Sequence, residues 1–548
     1  MVEFRSRQMV EFRPRQMVEF RARQMVEIRL PYYVKYANAC DATVLGPNGD
    51  RVKHILAIDQ GTTGTTCLVV AADGRIAGRS HREITQHYPK PGWVEHDPHE
   101  IIERTFAVAR EAIANAGVTP VAVGITNQRE TIVLWDRATG NAVHPAIVWQ
   151  DRRTATRCAD LAPHATNIAN KTGLVTDPYF SATKLEWLLA QPGIAERAAR
   201  GELAAGTIDS WLMWHLTGGN THATDPTNAS RTMLFDIHER AWSDDLLSLF
   251  GVPKSLLPEV RRSSGAFGTT THESIGVSIP IMGVAGDQQA ALFGQGGWNV
   301  GGSKNTYGTG AFLLVNTGST RPPLGDGLLS TIACDATGGP VYALEAAIFV
   351  AGAAVQWLRD GIRVIESADE AELLAAELPS NEGVYFVPAL VGLGAPDWEP
   401  SARGTIVGLT RGTTRAHLAR AAIEAMAYST ADVLAGIRDK SKVPLNLLRV
   451  DGGATRNNWL MQFQADVLNV PVERPDAIET TALGAAGLAG IAAGVWATAD
   501  EFIAARRFTR FDPGVGRELA TCGYNGWRRA VRATLSWARD PVGGFDRS

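Results

Sequence analysis

From residue 55 onward, short runs of apolar and β-branched residues alternate with longer stretches of helical period. Residues 55–59 and 67–71 read as strands on either side of a turn rich in glycine and threonine. Residues 97–117 read as a helix, because Ile102, Phe106, Ala109 and Ile113 recur at helical spacing and Asp97 and Glu100 stand near its start. Residues 121–125 and 131–135 return to the strand pattern. A similar order recurs later in the chain. Residues 305–316 place a Gly/Thr turn before an apolar strand, residues 341–348 form another strand, and residues 415–439 a long helix. Residues 447–468 read as strand, turn, helix. The repetition predicts an α/β chain built from two domains of similar construction that face one another. The Ala/Gly-rich stretch at 481–499 reads as one tightly packed buried helix and not as a membrane span.

The first 53 residues break this pattern. "MVEFRSRQ", "MVEFRPRQ", "MVEFRARQ" and "MVEIRLPY" begin at Met1, Met9, Met17 and Met25. Units of this length bury no core of their own and match no solenoid repeat. Residues 1–53 are therefore expected to be a disordered extension, translated from a repeated upstream DNA element, with the true start further in. A basic arm for an acidic surface is the alternative. The glutamates and the lack of an uninterrupted apolar stretch exclude a mitochondrial presequence and a signal peptide. The turn-rich 46–53 makes a boundary.

Composition narrows the function class only slightly. The 548 residues are 45% hydrophobic and 20% charged, ordinary values for a globular enzyme. Net charge is −4; residues 1–53 hold ten Lys/Arg against six Asp/Glu, and the rest 43 against 51. That mildly acidic body gives no reason to expect nucleic acid as a partner. Five scattered cysteines without a C-x-x-C argue against a disulfide framework or a zinc site and fit a reducing, cytoplasmic setting.

Candidate chemistry gathers at strand ends. In "HILAIDQGTTGTTCLVVAAD", Asp59 closes the first strand and a glycine-threonine turn follows. There it can hold Mg²⁺, directly or through water, or serve as an Asx-type turn residue. The two Gly/Thr turns, one per domain, offer backbone N–H groups and hydroxyls to phosphate oxygens. Neither a G-x-x-x-x-G-K-[ST] nor a G-x-G-x-x-G run is present, which argues against a P-loop enzyme and against a standard dinucleotide site. In "GVAGDQQAALFGQG", Asp287 can accept a proton from a substrate hydroxyl or cap the helix that follows. In "GITNQRETIVLWD", Arg129 and Glu130 are adjacent donor and acceptor, either gripping a polar substrate or forming a solvated pair. Trp149 and Tyr179 add aromatic surface in polar surroundings.

These stretches, with "GWVEHDP", "AIVWQDRR", "GLVTDPYFSATK", "KNTYGTGAFLL", "VPALVGLGAPDW" and "RVDGGATRNNWLMQFQADVLNVPVERP", resemble the FGGY family of carbohydrate kinases in order and spacing, from about residue 55 to about residue 496. The resemblance implies two ribonuclease-H-like domains of actin/Hsp70 type around a central cleft, at 54–297 and 298–548. It implies transfer of the ATP γ-phosphate to a polyol. "NQRET" and "DPYFSATK" point to glycerol, the product being glycerol 3-phosphate in the first step of glycerol utilisation. It makes Asp59 the Mg²⁺-side carboxylate, and Thr62, Thr63 and Gly64 a phosphate turn. Asp287 becomes the general base. Arg129, Glu130, Tyr179, Asp287 and Gln288 become contacts to the polyol hydroxyls, with Trp149 and Phe312 on its carbon face. Thr309, Gly352, Gln356, Gly453 and Asn457 become nucleotide contacts. ATP and Mg²⁺ are the implied cofactors, glycerol and ATP the partners, and a cytoplasmic homo-oligomer, dimer or tetramer, the expected assembly, with no nucleic acid and no membrane. A kinase of the same family for another polyol or sugar, and a nucleotide-binding regulator without transfer activity, are the competing functions. The intact Asp287 and Arg129–Glu130 pair weigh against the regulator.

Two departures from the family pattern stand out. Thr66 occupies a position where many members that use glycerol carry arginine, so a cation near the phosphates is missing. Residues 272–278 lack the glycines and the arginine found ahead of Ile-Pro in regulated bacterial members, with Ser278 in the arginine's place. No inhibition by a sugar bisphosphate through this loop is expected. Dose-dependent inhibition that disappears when residues 272–278 are changed would overturn that.

Overall fold

The computed structural model describes residues 52–325 and 327–540, so the repeats and nearly all of the expected extension lie outside the described residues. Two mixed sheets organise the rest. The first runs Ser264–Thr269, Pro280–Gly286, Ala122–Asn127, His54–Gln60, Gly64–Ala71, Ile76–Glu83 in spatial order. His54–Gln60 pairs parallel with Ala122–Asn127, and that strand parallel with Pro280–Gly286; the outer pairings are antiparallel. The second runs Leu329–Cys334, Pro340–Ile348, Ala311–Gly318, Ser303–Tyr307, Leu448–Asp451, Val472–Pro475, Phe508–Phe511. Its pairings repeat those of the first sheet, with one extra antiparallel strand, Leu329–Cys334, at the edge. The predicted echo between the halves is thus a shared topology. In each, a hairpin carries the Gly/Thr turn and a parallel strand flanks it.

Central strands are apolar on both faces because both faces are covered. Ile55, Leu56, Ala57 and Ile58 are all buried. Leu56 and Ile58 join Val69, Ile101, Val108 and Ile125 under the helix Pro98–Ala116. That helix starts where the sequence predicts. Asp97 accepts from the His99 N–H at 2.8 Å, Pro98 needs no donor there, and Gly117 closes the end at φ 65°. On the opposite face Ile55, Ala57 and Leu68 pack with Ala285, Phe293, Leu483 and Ala486. The second sheet is covered on one face by the helices Arg415–Ser441 and Asn458–Leu468, through Leu313, Leu344, Val450, Ile423 and Met461. On its other face Leu314, Ala333 and Ala343 meet Leu292. Helix Asp287–Gly294 therefore touches both cores, Phe293 facing one sheet and Leu292 the other.

The Ala/Gly-rich stretch departs from the expectation in two ways. The helix is Thr480–Ala492, and the chain turns at Gly494 (φ 65°) before a second helix, Ala499–Ala504, capped by Thr498. The turn folds Trp496 back onto Gly490 and sends its indole N–H to the Ala72 carbonyl at 2.8 Å. Secondly, Thr480–Ala492 packs on strands of the first sheet, although it follows every strand of that sheet in sequence. Glycines permit the approach. A Cβ on Gly484 would overlap the Ala290 carbonyl, and one on Gly124 the Ala485 carbonyl. Gly484→Val is expected to cost at least about 2 kcal/mol by overpacking, outweighing a gain in helix propensity of a few tenths. A urea midpoint equal to the parent's, at unchanged slope, would contradict this close packing.

Candidate active site

The turn after His54–Gln60 is held from both sides. The Gly61 N–H donates to the Gly64 carbonyl at 2.9 Å, Gln86 Nε2 to the Thr62 carbonyl at 2.8 Å, and the Ile84 N–H to the Thr63 carbonyl at 3.0 Å. The Thr62 hydroxyl accepts the Trp149 indole N–H at 2.9 Å, while Thr63 is exposed. Gly64 must be glycine because a Cβ would meet the Arg82 carbonyl. Asp59 lies at the end of the strand, and its carboxyl is pushed up to about 7 by burial and then by the charge of Asp287.

Asp287 opens the helix Asp287–Gly294, but the cap position belongs to Gly286. The Asp287 carboxylate accepts its neighbour's N–H, Gln288 at 2.7 Å, faces one guanidinium nitrogen at 3.2 Å and stays 31% exposed. It keeps acceptor capacity for a substrate proton. The Thr227 hydroxyl receives the Gly286 N–H at 2.8 Å and itself bonds to Asp225, fixing the turn just ahead of Asp287.

Arg129 and Glu130 are not a solvated pair; each is 2% exposed. Arg129 Nε lies 3.2 Å from Asp287 Oδ1 and 3.7 Å from Glu130 Oε1. Its two terminal nitrogens grip Glu345 at 2.6 and 2.9 Å, and Nη1 also donates to Gln289 Oε1 at 3.1 Å. Glu130, at φ 63°, accepts from Arg231 Nε at 2.7 Å, and Arg231 Nη2 reaches Glu345 at 3.0 Å. Burial raises the Glu130 carboxyl, and the two guanidinium groups oppose this. For Glu345 burial also acts upward, but Arg129 and Arg231 prevail and hold it at about 2.

Tyr179 and Trp149 meet edge to face, 5.4 Å between ring centres, and Arg231 lies 5.8 Å from the centre of the Tyr179 ring. Lys184 ties the two aromatic segments together. Its buried ammonium donates to the Val148 carbonyl at 2.8 Å and the Tyr179 carbonyl at 3.2 Å. Gln288 Oε1 accepts from Lys304 Nζ, which also donates to Thr306 Oγ1 at 2.8 Å. Burial brings Lys304 down to about 8, against the pull of Asp451 and Asp287. Phe312 pairs across the second sheet with Thr306 and Ala347, on the face that also carries Glu345 and Lys304.

Thr309, Gly352, Gln356, Gly453 and Asn457 line a single cavity of about 450 Å³ in the second half, a volume suited to a nucleotide. Val355, Ile423 and Met426 give it an apolar wall, and Arg359 a charged rim. The Gly352 N–H donates to the Gly308 carbonyl at 3.0 Å, and the Ala351 N–H to the Thr309 carbonyl at 2.8 Å, closing the second Gly/Thr turn against a helix start. Asn457 caps Asn458–Leu468 through the Leu460 N–H at 2.7 Å. A more open hollow of about 660 Å³ beside His87, His99 and His144 contains none of these residues.

Among the described residues no group of three or more His, Cys, Asp or Glu is arranged to hold a metal ion. A cation at Asp59 would thus rest on one carboxylate, waters and ligand phosphates, the manner in which Mg²⁺ is commonly held. The donor chemistry fits that group: Asp59 is a carboxylate at a strand end, directly ahead of the glycine-threonine turn. At the first departure, the Thr66 hydroxyl is bonded to His81 Nδ1 at 2.9 Å. At the second, Ser278 Oγ donates to the Thr270 carbonyl at 3.0 Å.

Four charged residues of this cluster escape sequence reasoning: Lys184, Arg231, Lys304 and Glu345. One signal was available. "VYALEAAI" carries a glutamate inside an otherwise apolar strand, and a buried carboxylate needs a cationic partner. Nothing local says which arginine supplies it.

Known proteins match the chain over most of its length. The FGGY family of carbohydrate kinases matches through its N-terminal domain at residues 54–294 and its C-terminal domain at residues 303–493. The chain is 54% identical over 493 residues to the glycerol kinase of Dechloromonas aromatica, covering 89% of this chain and 98% of that one. It is 52% identical over 494 residues to the glycerol kinase of Deinococcus radiodurans, covering 89% and 99%. Among solved structures, Plasmodium falciparum glycerol kinase with ADP superposes with a TM-score of 0.84 at 36% identity, covering 88% and 98%. Gluconate kinase from Lactobacillus acidophilus, at 20% identity and a TM-score of 0.80, covering 89% and 99%, shares the fold.

Proposed function

The chain belongs to the FGGY family of carbohydrate kinases, and from that premise we propose that it phosphorylates glycerol with ATP, giving glycerol 3-phosphate and ADP, with Asp287 as the base. The carrying observation is the placement of Asp287: a partly exposed carboxylate, not spent on capping, 3.2 Å from a buried arginine.

Arg129 and Glu130 bind neighbouring hydroxyls of the polyol as donor and acceptor, and Trp149, Tyr179 and Phe312 receive its carbon face. Gln288, oriented by Lys304, supplies a further contact. ATP occupies the cavity of Thr309, Gly352, Gln356, Gly453 and Asn457, with its phosphates directed toward Thr62, Thr63 and Gly64. Asp287 takes the proton of the attacking hydroxyl as its oxygen bonds to the γ-phosphorus and the bond to the ADP oxygen breaks. The carboxylate has only to be ionised and within hydrogen-bond reach. Most of the acceleration comes from positioning and neutralised phosphate charge. Mg²⁺ held by Asp59 would supply part of that neutralisation.

No helix of the described residues is long and apolar enough to cross a membrane. Cys67, Cys158, Cys334 and Cys522 are unpaired, in keeping with a cytoplasmic enzyme. The proposed assembly is a homo-oligomer, and the proposed domain division that of residues 54–297 and 298–548.

The test is ADP release by the purified protein with Mg-ATP, offered glycerol beside xylulose, ribulose and gluconate. Glycerol-dependent turnover supports the reading. Preference for another acceptor would redirect the pocket assignment, and ATP binding without any turnover would favour a regulator.

A further inference from the structure

Every charged group assigned to the polyol lies on the first half of the chain, yet its main arginine is gripped from the second. Glu345 stands in the middle of Pro340–Ile348, directly opposite Leu314, and Leu314 is opposite Lys304 on the next strand. Residues opposite one another across antiparallel strands share a face. The second sheet therefore presents a row with a carboxylate at one end, an ammonium at the other and Leu314 between them. That face is the one helix Asp287–Gly294 covers through Leu292. Each charged end reaches a different residue of the site: Lys304 reaches Gln288, and Glu345 reaches Arg129.

A guanidinium has five N–H groups in a fixed planar fork, so holding one edge aims the other. Glu345 occupies the edge formed by the two terminal nitrogens of Arg129, at 2.6 and 2.9 Å. The Nε edge is left pointing at Asp287 and Glu130, at 3.2 and 3.7 Å. Arg231 braces the arrangement from behind by bonding both Glu345 and Glu130. Without Glu345 nothing equivalent would hold the terminal edge. Gln289 offers a single neutral acceptor at 3.1 Å, and the freed guanidinium would swing onto the Asp287 carboxylate as a bidentate pair. An arginine so paired is lost to a neutral hydroxyl ligand.

We propose that Glu345, on the second sheet, is a positioning residue for the polyol: it aims the Nε edge of Arg129 at the substrate and keeps the terminal nitrogens from adding to the single 3.2 Å contact that Nε makes with Asp287. This rests on the glycerol kinase reading given above. Burial of Glu345 among two guanidinium groups, with its carboxyl held at about 2, agrees with a permanently charged brace. The consequence is a polyol pocket whose affinity depends on the second half of the chain, although none of the second half's charged groups need touch the polyol.

Glu345→Gln keeps the size of the side chain and removes the charge. With saturating ATP, its KM for glycerol is expected to rise about 10- to 100-fold and its kcat to fall about tenfold, with KM for ATP within twofold of the parent. Glu345→Asp, which keeps the charge, should recover at least about half of the lost affinity on a logarithmic scale. A merely structural role would lower the active fraction and leave both KM values unchanged. That result, or a rise in KM for ATP equal to the rise for glycerol, overturns the inference. If Glu345→Gln is insoluble, Glu345→Asp carries the test, with an expected rise in glycerol KM of about threefold or more against unchanged KM for ATP; no rise overturns it. Parent turnover with glycerol is measured first. Its absence would sink the glycerol reading and this inference together, whereas parent turnover with an unchanged glycerol KM in the variants would sink this inference alone.

Discussion

Asp287→Asn is expected to lower kcat by about 10²–10⁴ while leaving the KM values for glycerol and ATP within a few-fold of the parent. The amide matches the carboxylate in size and can still accept the Gln288 N–H that Asp287 holds at 2.7 Å. What it cannot do is take a proton from the attacking hydroxyl. Arg129 remains fixed by Glu345 and Gln289 in the variant, so the proposed polyol pocket keeps its main donor. The effect should therefore fall on the chemical step and not on binding. Rapid-quench measurement of the first turnover separates the two. A kcat within about tenfold of the parent would remove Asp287 from the role of base and leave catalysis to positioning and charge alone.

Arg231→Leu is the stability counterpart, with an expected loss of about 3–5 kcal/mol. Arg231 is fully buried and bonds Glu130 at 2.7 Å and Glu345 at 3.0 Å. Its removal leaves two buried carboxylates sharing the single guanidinium of Arg129. The desolvation cost of the second carboxylate is then uncompensated. Glu345 also gives the loss a pH signature. Its carboxyl is held at about 2 against an ordinary 4.5, so it contributes stability that is fully present above pH 4.5 and is lost as pH falls toward 2. With one cation gone the depression shrinks, and the variant should lose less stability than the parent over that acid range. Urea midpoints of both proteins at pH 7, 4.5 and 3 check both statements. Equal midpoints at pH 7 would show that Arg231 adds nothing net to the fold.

Both variants act on residues that differ in how far the sequence reveals them. Asp287 stands in a short run of glycines and small residues between a strand and a helix, and its local setting already marks it. Arg231 stands in "NASRTMLF", with nothing nearby to say what it pairs with. Its partners lie 101 and 114 residues away. Such pairings are invisible to any reading that moves along the chain window by window.

The sequence by itself determined the local elements and the two-fold echo of the architecture. Strand residues 55–58 are apolar on both faces, the helix after Asp97 carries its cap, its Pro and its closing glycine, and the two Gly/Thr turns sit in equivalent hairpins. These follow from periodicity and backbone preference, which act over a few residues. Of the 450 Å³ cavity, Thr309, Gly352, Gln356, Gly453 and Asn457 are reached through the family resemblance, whereas Ile423 and Met426, inside the long helix, carry no signal of their own. Only the tertiary structure decided three things. It broke the Ala/Gly-rich stretch at Gly494 and set its first helix against the first sheet, where Gly484 and Gly124 leave room for backbone contact. It buried Arg129 and Glu130, which their sequence left equally suited to the surface. And it carried Glu345 and Lys304 from the second sheet to Arg129 and Gln288. Buried charge is costly unless paired, and the pairing depends on which sheets meet across helix Asp287–Gly294. That meeting follows from the packing of Phe293 on one core and Leu292 on the other.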